Sequence, residues 1–132
     1  MKTAKGQFAI KATPLEQSEV EKSLNLGRMS FEKNFSGDLV ATSLVSMLGL
    51  MNKDLGSGGY VALERIEGSL LGHKGSFYLQ HSSTMERGKP QQSIVVVPDS
   101  GTDQLLGLSG RMTIDIVNGE HFFTFEFSLR NI

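Results

Sequence analysis

The segment Ile94–Gly110, IVVVPDSGTDQLLGLSG, decides how the rest of the chain is interpreted. It opens with a run of β-branched residues, which favour a strand, and Pro98 ends that strand because proline cannot donate to a sheet ladder. Ser100 is placed to cap one helical turn near residues 102–106, with Asp103 at the third helical position. The glycines that follow return the chain to a strand, so the segment predicts a strand, a capped corner and a second strand.

Alternation of apolar and polar residues predicts strands on both sides of this segment. The last hairpin is the clearest, because residues 112–116 and 123–129 alternate around Asn118-Gly119, the pair that a type I′ turn prefers. Upstream, the same pattern predicts strands over residues 7–13, 24–36, 60–71 with a bulge near Gly68, and 75–83 after a hairpin connection at 72–75. Residues 18–22 are charged and are expected to form a loop or a hairpin edge.

The segment Leu39–Met51 is ambiguous by its local pattern. Its apolar residues fit a helical stripe somewhat better than they fit strict alternation. The remaining strands nevertheless number about eight, with no long helical segment, which predicts one all-β domain over residues 1–132. A closed antiparallel barrel and a sandwich both satisfy this pattern, and the 15 glycines favour the barrel.

Composition excludes several classes of function. Thirteen basic and fourteen acidic residues leave a net charge of -1, which argues against nucleic-acid and anionic-membrane partners. The absence of cysteine excludes disulfides and thiolate metal sites and suits a reducing compartment, so the cytoplasm is expected. Lys11 interrupts the N-terminal segment before a signal peptide could form, and the longest apolar run is far shorter than the roughly 20 residues of a membrane helix.

Four segments resemble a known family. They are KNFSGDL at 33–39, GSFYLQH at 75–81, VPDSGTDQL at 97–105 and LSG at 108–110. In this order they resemble a small bacterial family described only as a domain of unknown function, whose members are eight-stranded barrels similar to allene oxide cyclase. The resemblance spans residues 8–129 and implies that Leu39–Met51 is a strand. It implies no mechanism, because a shared fold does not fix function, and it therefore supplies no catalytic residues.

Histidines and one carboxylate are the candidate polar groups of the barrel interior. His81 and His121 both lie in the apolar phase of their strands, and Glu64 is a conceivable third metal ligand. Hydrogen-bonded structural histidines explain this pattern better, so no metal and no cofactor are predicted. Glu64 and Arg65 are consecutive on one strand and must point to opposite faces. An inward Glu64 beside His81 could act as a general base, although a structural ion pair is the simpler interpretation.

The leading hypothesis for function is binding of a small apolar metabolite inside the barrel, for example a carboxylate placed near His81. The expected ligand-binding residues are Tyr60, Glu64, Phe77, Gln80, His81, His121 and Phe125. The alternatives are an isomerase or cyclase that uses the same cavity, and a filled barrel whose role is self-association. The apolar stretch Met47–Met51 has no evident partner in a small barrel, so a homodimer is expected.

Overall fold

A computed structural model describes residues 1–130 as a closed antiparallel β-barrel. The strands are β1 (Lys2–Leu15), β2 (Gly27–Gly37), β3 (Leu39–Asn52), β4 (Ser57–Leu70), β5 (His73–Glu86), β6 (Lys89–Gln91), β7 (Ile94–Val96), β8 (Ser109–Val117) and β9 (Glu120–Ser128). They follow the order β4-β3-β2-β1-β9-β8-β7-β5, and β4 closes the barrel by pairing with β5. The short β6 pairs with β5 beyond β7. The predicted fold class, an all-β closed eight-stranded barrel, is confirmed.

The strand pairings that close the barrel differ greatly in length. β3 and β4 pair along 14 residues, whereas β7 meets β8 through the single pair Val95 and Arg111. The side-chain amide of Gln92 extends the short pairing between β7 and β8. Its Nε2 donates to the carbonyl oxygen of Ile114 at 2.8 Å, and its Oε1 accepts from the Ile114 amide at 3.0 Å. One side chain therefore reproduces the two hydrogen bonds that a neighbouring strand would supply.

The sequence pattern missed a helix between the first two strands. Helix α1 (Glu19–Leu24) replaces the expected loop, and a capping box starts it. Ser18 Oγ accepts from the Glu21 amide at 3.2 Å, and the Glu21 carboxylate accepts from the Ser18 amide at 2.9 Å. The helix buries no side chain, so it leaves no apolar stripe in the sequence. Neither helical segment within residues 1–130 is long and apolar enough to cross a membrane.

The predicted corner after β7 is present, but its cap is different. A 3₁₀ turn spans Asp103–Leu105, and Thr102 rather than Ser100 occupies the capping position. Ser100 Oγ instead accepts a hydrogen bond of 3.0 Å from the backbone amide of Tyr78 on β5. The corner is therefore held against the barrel wall by β5.

Several strand boundaries also differ from the sequence prediction. β1 continues through Pro14, and the turn before β5 lies at Leu71-Gly72. The register around Gly68 is continuous with both neighbours, so the expected bulge is wrong. A Cβ atom at Gly68 would collide with the carbonyl oxygen of Val40, which explains why glycine is needed there. The strand implied for Leu39–Met51 is confirmed as β3.

The barrel interior divides into a closed half and an open half. In the closed half, Phe77 stacks on Phe125 with ring centroids 5.7 Å apart, and Phe125 stacks on Phe127 at 5.3 Å. Leu105 and Leu108, which lie in and after the 3₁₀ turn, are buried in the same core. The open half lies toward α1 and the Asn118-Gly119 turn.

Candidate functional site

A buried carboxylate forms the centre of a polar layer between the two halves. Glu64 on β4 is fully buried, and its side chain accepts three hydrogen bonds from three other strands. Lys33 Nζ on β2 lies 3.2 Å from Oε1, and His81 Nε2 on β5 lies 2.7 Å from the same oxygen. Ser43 Oγ on β3 donates to Oε2 at 2.6 Å. These four side chains are all buried, so the network lies in a low-dielectric interior.

The partners of Glu64 decide its charge. Burial by itself would raise the pKa of this carboxyl group, because desolvation disfavours the ionised form. The hydrogen bond to His81, the positive charge of Lys33 and the hydrogen bond from Ser43 outweigh that cost, and the pKa is lowered. Glu64 is therefore a carboxylate at neutral pH, where it can only accept hydrogen bonds.

Aromatic rings hold the ammonium group of Lys33 in place. Its Nζ lies 4.5 Å from the centroid of the Phe8 ring and 5.8 Å from that of Phe35. Both rings are buried, so these cation–π contacts are shielded from water and each can contribute about 1–2 kcal/mol. Lys33 alternates with Phe31 and Phe35 on one face of β2, which directs its side chain into the barrel.

A cavity of about 360 Å³ opens above the polar layer in the open half. Lys33 and His81 contribute polar groups at its floor, and its walls are mainly apolar: Phe8, Ile10, Phe31, Val45, Met47, Ala62, Ile114 and Ile116. Tyr60, Gln92 and His121 supply the remaining polar groups. Ile10 and Ile116 remain 38% and 65% exposed although both line the cavity. The cavity therefore presents apolar surface that the protein itself does not cover.

The structure brings part of the predicted ligand site together. Tyr60, His81 and His121 line the cavity, and Glu64 lies directly behind His81. The two histidines have different surroundings, however. His81 bonds to Glu64, whereas the ring of His121 packs against Phe8 at 5.1 Å. Within residues 1–130, no group of three His, Asp or Glu side chains is arranged to hold a metal ion.

The other predicted residues lie away from the cavity. Gln80 is exposed on the outer face of β5, because consecutive strand residues point to opposite faces and His81 points inward. Phe77 and Phe125 are fully buried in the closed half. Their expected role as cavity walls is corrected by this position: the rings interlock with each other and fill their part of the barrel.

Three residues of this candidate site were missed by the sequence interpretation. The sequence did contain a signal for Lys33. A lysine in the apolar phase of a strand points inward, so its charge must be buried or find a partner. Ser43 is a polar residue on the inward face of β3, but the ambiguous periodicity of that segment concealed the face. Gln92 lies in a short connection between β6 and β7, and its contact with Ile114 could not be found from local pattern.

A larger concave surface lies outside the barrel. It measures about 520 Å³ and is bounded by β1 to β4, with Lys11, Glu32, Arg65 and Glu67 on its rim. These residues are exposed and of mixed sign. Such a groove is a solvated outer face, whereas the interior cavity combines apolar walls with a few buried polar groups, as ligand sites do.

Comparison with known proteins places this barrel in a family. Residues 4–127 match the family described as Protein of unknown function (DUF3224). The chain belongs to the DUF3224 family. It is also similar to a solved structure from Shewanella oneidensis MR-1, a protein with unknown function from the same family, at 42% sequence identity and a TM-score of 0.90. The similarity covers 98% of each chain. No curated protein matches this sequence. The resemblance to a family of unknown function is thereby confirmed.

Proposed function

We propose that the open half of the barrel binds one small, mostly apolar molecule. The observation that carries this proposal is the cavity of about 360 Å³, whose walls are apolar and whose floor is the charged layer in which Lys33 and His81 are bonded to Glu64. Ligand sites typically measure about 300–1,000 Å³ and combine these two properties. The implied likeness to allene oxide cyclase concerns the fold, so it supports an enclosing barrel and names no reaction.

Exposed apolar side chains favour a bound molecule over a purely structural barrel. Ile10 and Ile116 line the cavity and keep much of their surface open. A guest that covered them would remove apolar surface from water at roughly 25 cal/mol per Å². The closed half shows that apolar side chains of this chain can pack densely against each other inside the barrel. The difference supports a binding role for the open half.

The polar layer favours a neutral polar group on the ligand. Glu64 already accepts hydrogen bonds from Lys33, His81 and Ser43, so it has little capacity for a ligand donor. The Lys33 and Glu64 charges cancel, and an additional carboxylate would have to be desolvated close to Glu64. A carbonyl or hydroxyl group therefore suits the floor better than the carboxylate first expected there. Its partners would be Lys33 and His81.

Matched ligands test this proposal. We expect phenylacetone to raise the melting temperature of the protein more than phenylacetic acid, because the two share a ring and differ in the polar end. A ligand at 100 times its dissociation constant stabilises a protein by about 2.7 kcal/mol. Native mass spectrometry then measures how many molecules are retained, and we expect one.

A pair of variants locates the bound molecule. Ala62→Leu adds volume inside the cavity, and Ser82→Leu adds the same side chain on the outer face of the adjacent strand. We expect the first variant to abolish the thermal shift and the second to keep it. Equal shifts in both variants, or no shift of the wild-type protein with either compound, would contradict binding in the cavity.

A further inference from the structure

We propose that His81 and Lys33 form a proton-transfer site, which moves a proton at the carbon next to a carbonyl group of the bound molecule. The activity is a keto–enol isomerisation of a small, neutral, mostly apolar ketone or aldehyde. This inference rests on the proposed binding function, because the substrate must occupy the same cavity. It adds a reaction, two catalytic residues and a positioning residue.

The geometry of His81 is that of an oriented base. Its Nε2 lies 2.7 Å from Oε1 of Glu64, and a carboxylate can only accept, so Nε2 carries the hydrogen. In the neutral imidazole, the lone pair is then on Nδ1. Among residues 1–130, no hydrogen bond is formed to Nδ1, and His81 lines the cavity. Glu64 is thus a positioning residue that fixes the tautomer and stabilises the imidazolium that forms.

Lys33 is placed to stabilise the negative charge that such a reaction creates. Its Nζ approaches the same carboxylate oxygen as His81 Nε2, so the ammonium group and the imidazole are neighbours. An ammonium group has three N–H donors, and one hydrogen bond to Glu64 leaves two of them for a ligand oxygen. The cation is already desolvated beneath the cavity, where a preorganised charge acts more strongly than in water.

The reaction needs no further reagent. Nδ1 of His81 takes the proton of the carbon next to the carbonyl group, and the electrons of that C–H bond form a C=C bond. The carbonyl π electrons move to the oxygen, which becomes an enolate beside the Lys33 ammonium group. The imidazolium then returns its proton to the enolate oxygen, which gives the enol, or to carbon, which exchanges the hydrogen. Charge and atoms balance in both directions.

Glu64 has more hydrogen-bond partners than a purely structural ion pair would need. Lys33 and Ser43 already bond to its two carboxylate oxygens. An imidazole added only to satisfy the carboxylate would have no reason to lie at the cavity floor with its second nitrogen unbonded. Apolar walls around one base and one cation are the surroundings that favour abstraction of a carbon-bound proton.

Deuterium exchange tests the proposal with phenylacetone as the probe. The folded protein is placed in D₂O with the ketone, and proton NMR follows loss of the hydrogens next to the carbonyl group, while saturation transfer in the same tube reports binding. We expect exchange at least about 100-fold faster than with the same concentration of free imidazole, since general base catalysis contributes 10²–10⁴-fold. His81→Asn and Lys33→Met should each lose most of this excess, and the control His73→Asn should keep it. His73 lies at the other end of β5, where its ring bonds to the Leu71 carbonyl.

Glu64→Gln provides a readout that a structural role would not move. The amide oxygen can still accept the Nε2 hydrogen bond, but it carries no negative charge to stabilise the imidazolium. The exchange rate should therefore fall, while saturation transfer from the protein to phenylacetone persists. Binding of the ketone without excess exchange over free imidazole would overturn the proposal and leave the binding function standing. Absence of binding would overturn both. The comparison with imidazole needs only the wild-type protein, so it decides even if a variant fails to fold.

Discussion

The two halves of the barrel are built by the same strands but are packed differently. β5 supplies Phe77 and Leu79 to the closed half and then His81 to the polar layer. β9 likewise supplies Phe125 to the core and His121 to the cavity. In the closed half, rings stack against each other and a 3₁₀ turn covers them, whereas the open half keeps a cavity. One densely packed half can therefore stabilise the sheet while the other half keeps an open cavity.

The largest effect should come from removing a ring of the closed half. Phe125→Ala is expected to lower the free energy of unfolding by about 3–5 kcal/mol, because the ring is fully buried between Phe77 and Phe127. Phe31→Ala is the matched change in the open half, where the side chain is only partly buried and lines the cavity. Urea unfolding should show a clearly smaller loss for Phe31→Ala. Equal losses would remove the distinction between the halves.

The next effect should come from the polar layer. Ser43→Ala leaves Oε2 of the buried Glu64 without its hydrogen bond, which should cost about 1–3 kcal/mol. Ser46→Ala is the control, since Ser46 is exposed on the outer face of the same strand. Both variants can be compared by urea unfolding at neutral pH. A loss for Ser43→Ala no larger than that for Ser46→Ala would show that the polar layer does not depend on this bond.

Acid should destabilise the protein through Glu64. Its pKa in the fold lies below the ordinary value of 4.5, so the unfolded chain binds this proton more readily. The resulting stability is fully present above pH 4.5 and is lost as the pH falls from there through the folded-state pKa. The slope reaches about 1.4 kcal/mol per pH unit for one proton. Unfolding measured at a series of acidic pH values should show a reduced slope in Glu64→Gln. The exposed Glu67→Gln on the same strand should retain the wild-type slope.

The smallest effect on stability should come from the rim of the open half. Met47 faces the cavity, whereas Leu50 and Met51 are exposed. The homodimer remains a prediction, and Leu50 and Met51 are the residues expected at its interface. Leu50→Glu should change the mass measured by light scattering from dimer to monomer and alter stability by less than about 0.5 kcal/mol. Val40→Glu, exposed at the other end of β3, should leave the mass unchanged. A monomeric wild-type protein at tens of micromolar would end this idea.

Sequence pattern predicted the closed half better than the open half. The stacked phenylalanines alternate strictly along β9, because every second residue there serves the same core. In β3 the rule breaks, since inward Ser43 serves Glu64 while outward Val40 and Leu44 are apolar and exposed. The local period therefore resembled a helix, and only the family resemblance gave a strand. A buried polar layer removes the alternation by which strands are recognised.

Contacts between distant strands explain why the rest of the candidate site could not be predicted from the sequence. An inward Glu64 beside His81 could be considered from the sequence, but no local signal showed that Lys33 on β2 and Ser43 on β3 bond to the same carboxylate. Gln80 lies outside the cavity for a different reason. Its alternation with His81 already placed it on the outer face, so the pattern contradicted its assignment to the site. Helix α1 had a visible capping box at Ser18, yet no apolar stripe drew attention to it.

Methionine methyl NMR tests most directly whether the open half is the binding site. Met47 lines the cavity, and Met112 is buried in the core of the closed half, so the two methyl groups report on the two halves separately. Addition of phenylacetone to protein labelled at the methionine methyl carbons should shift the Met47 signal in a saturable way and leave the Met112 signal in place. An unmoved Met47 signal at saturating ketone, or equal shifts of both signals, would contradict a barrel with one packed half and one binding half.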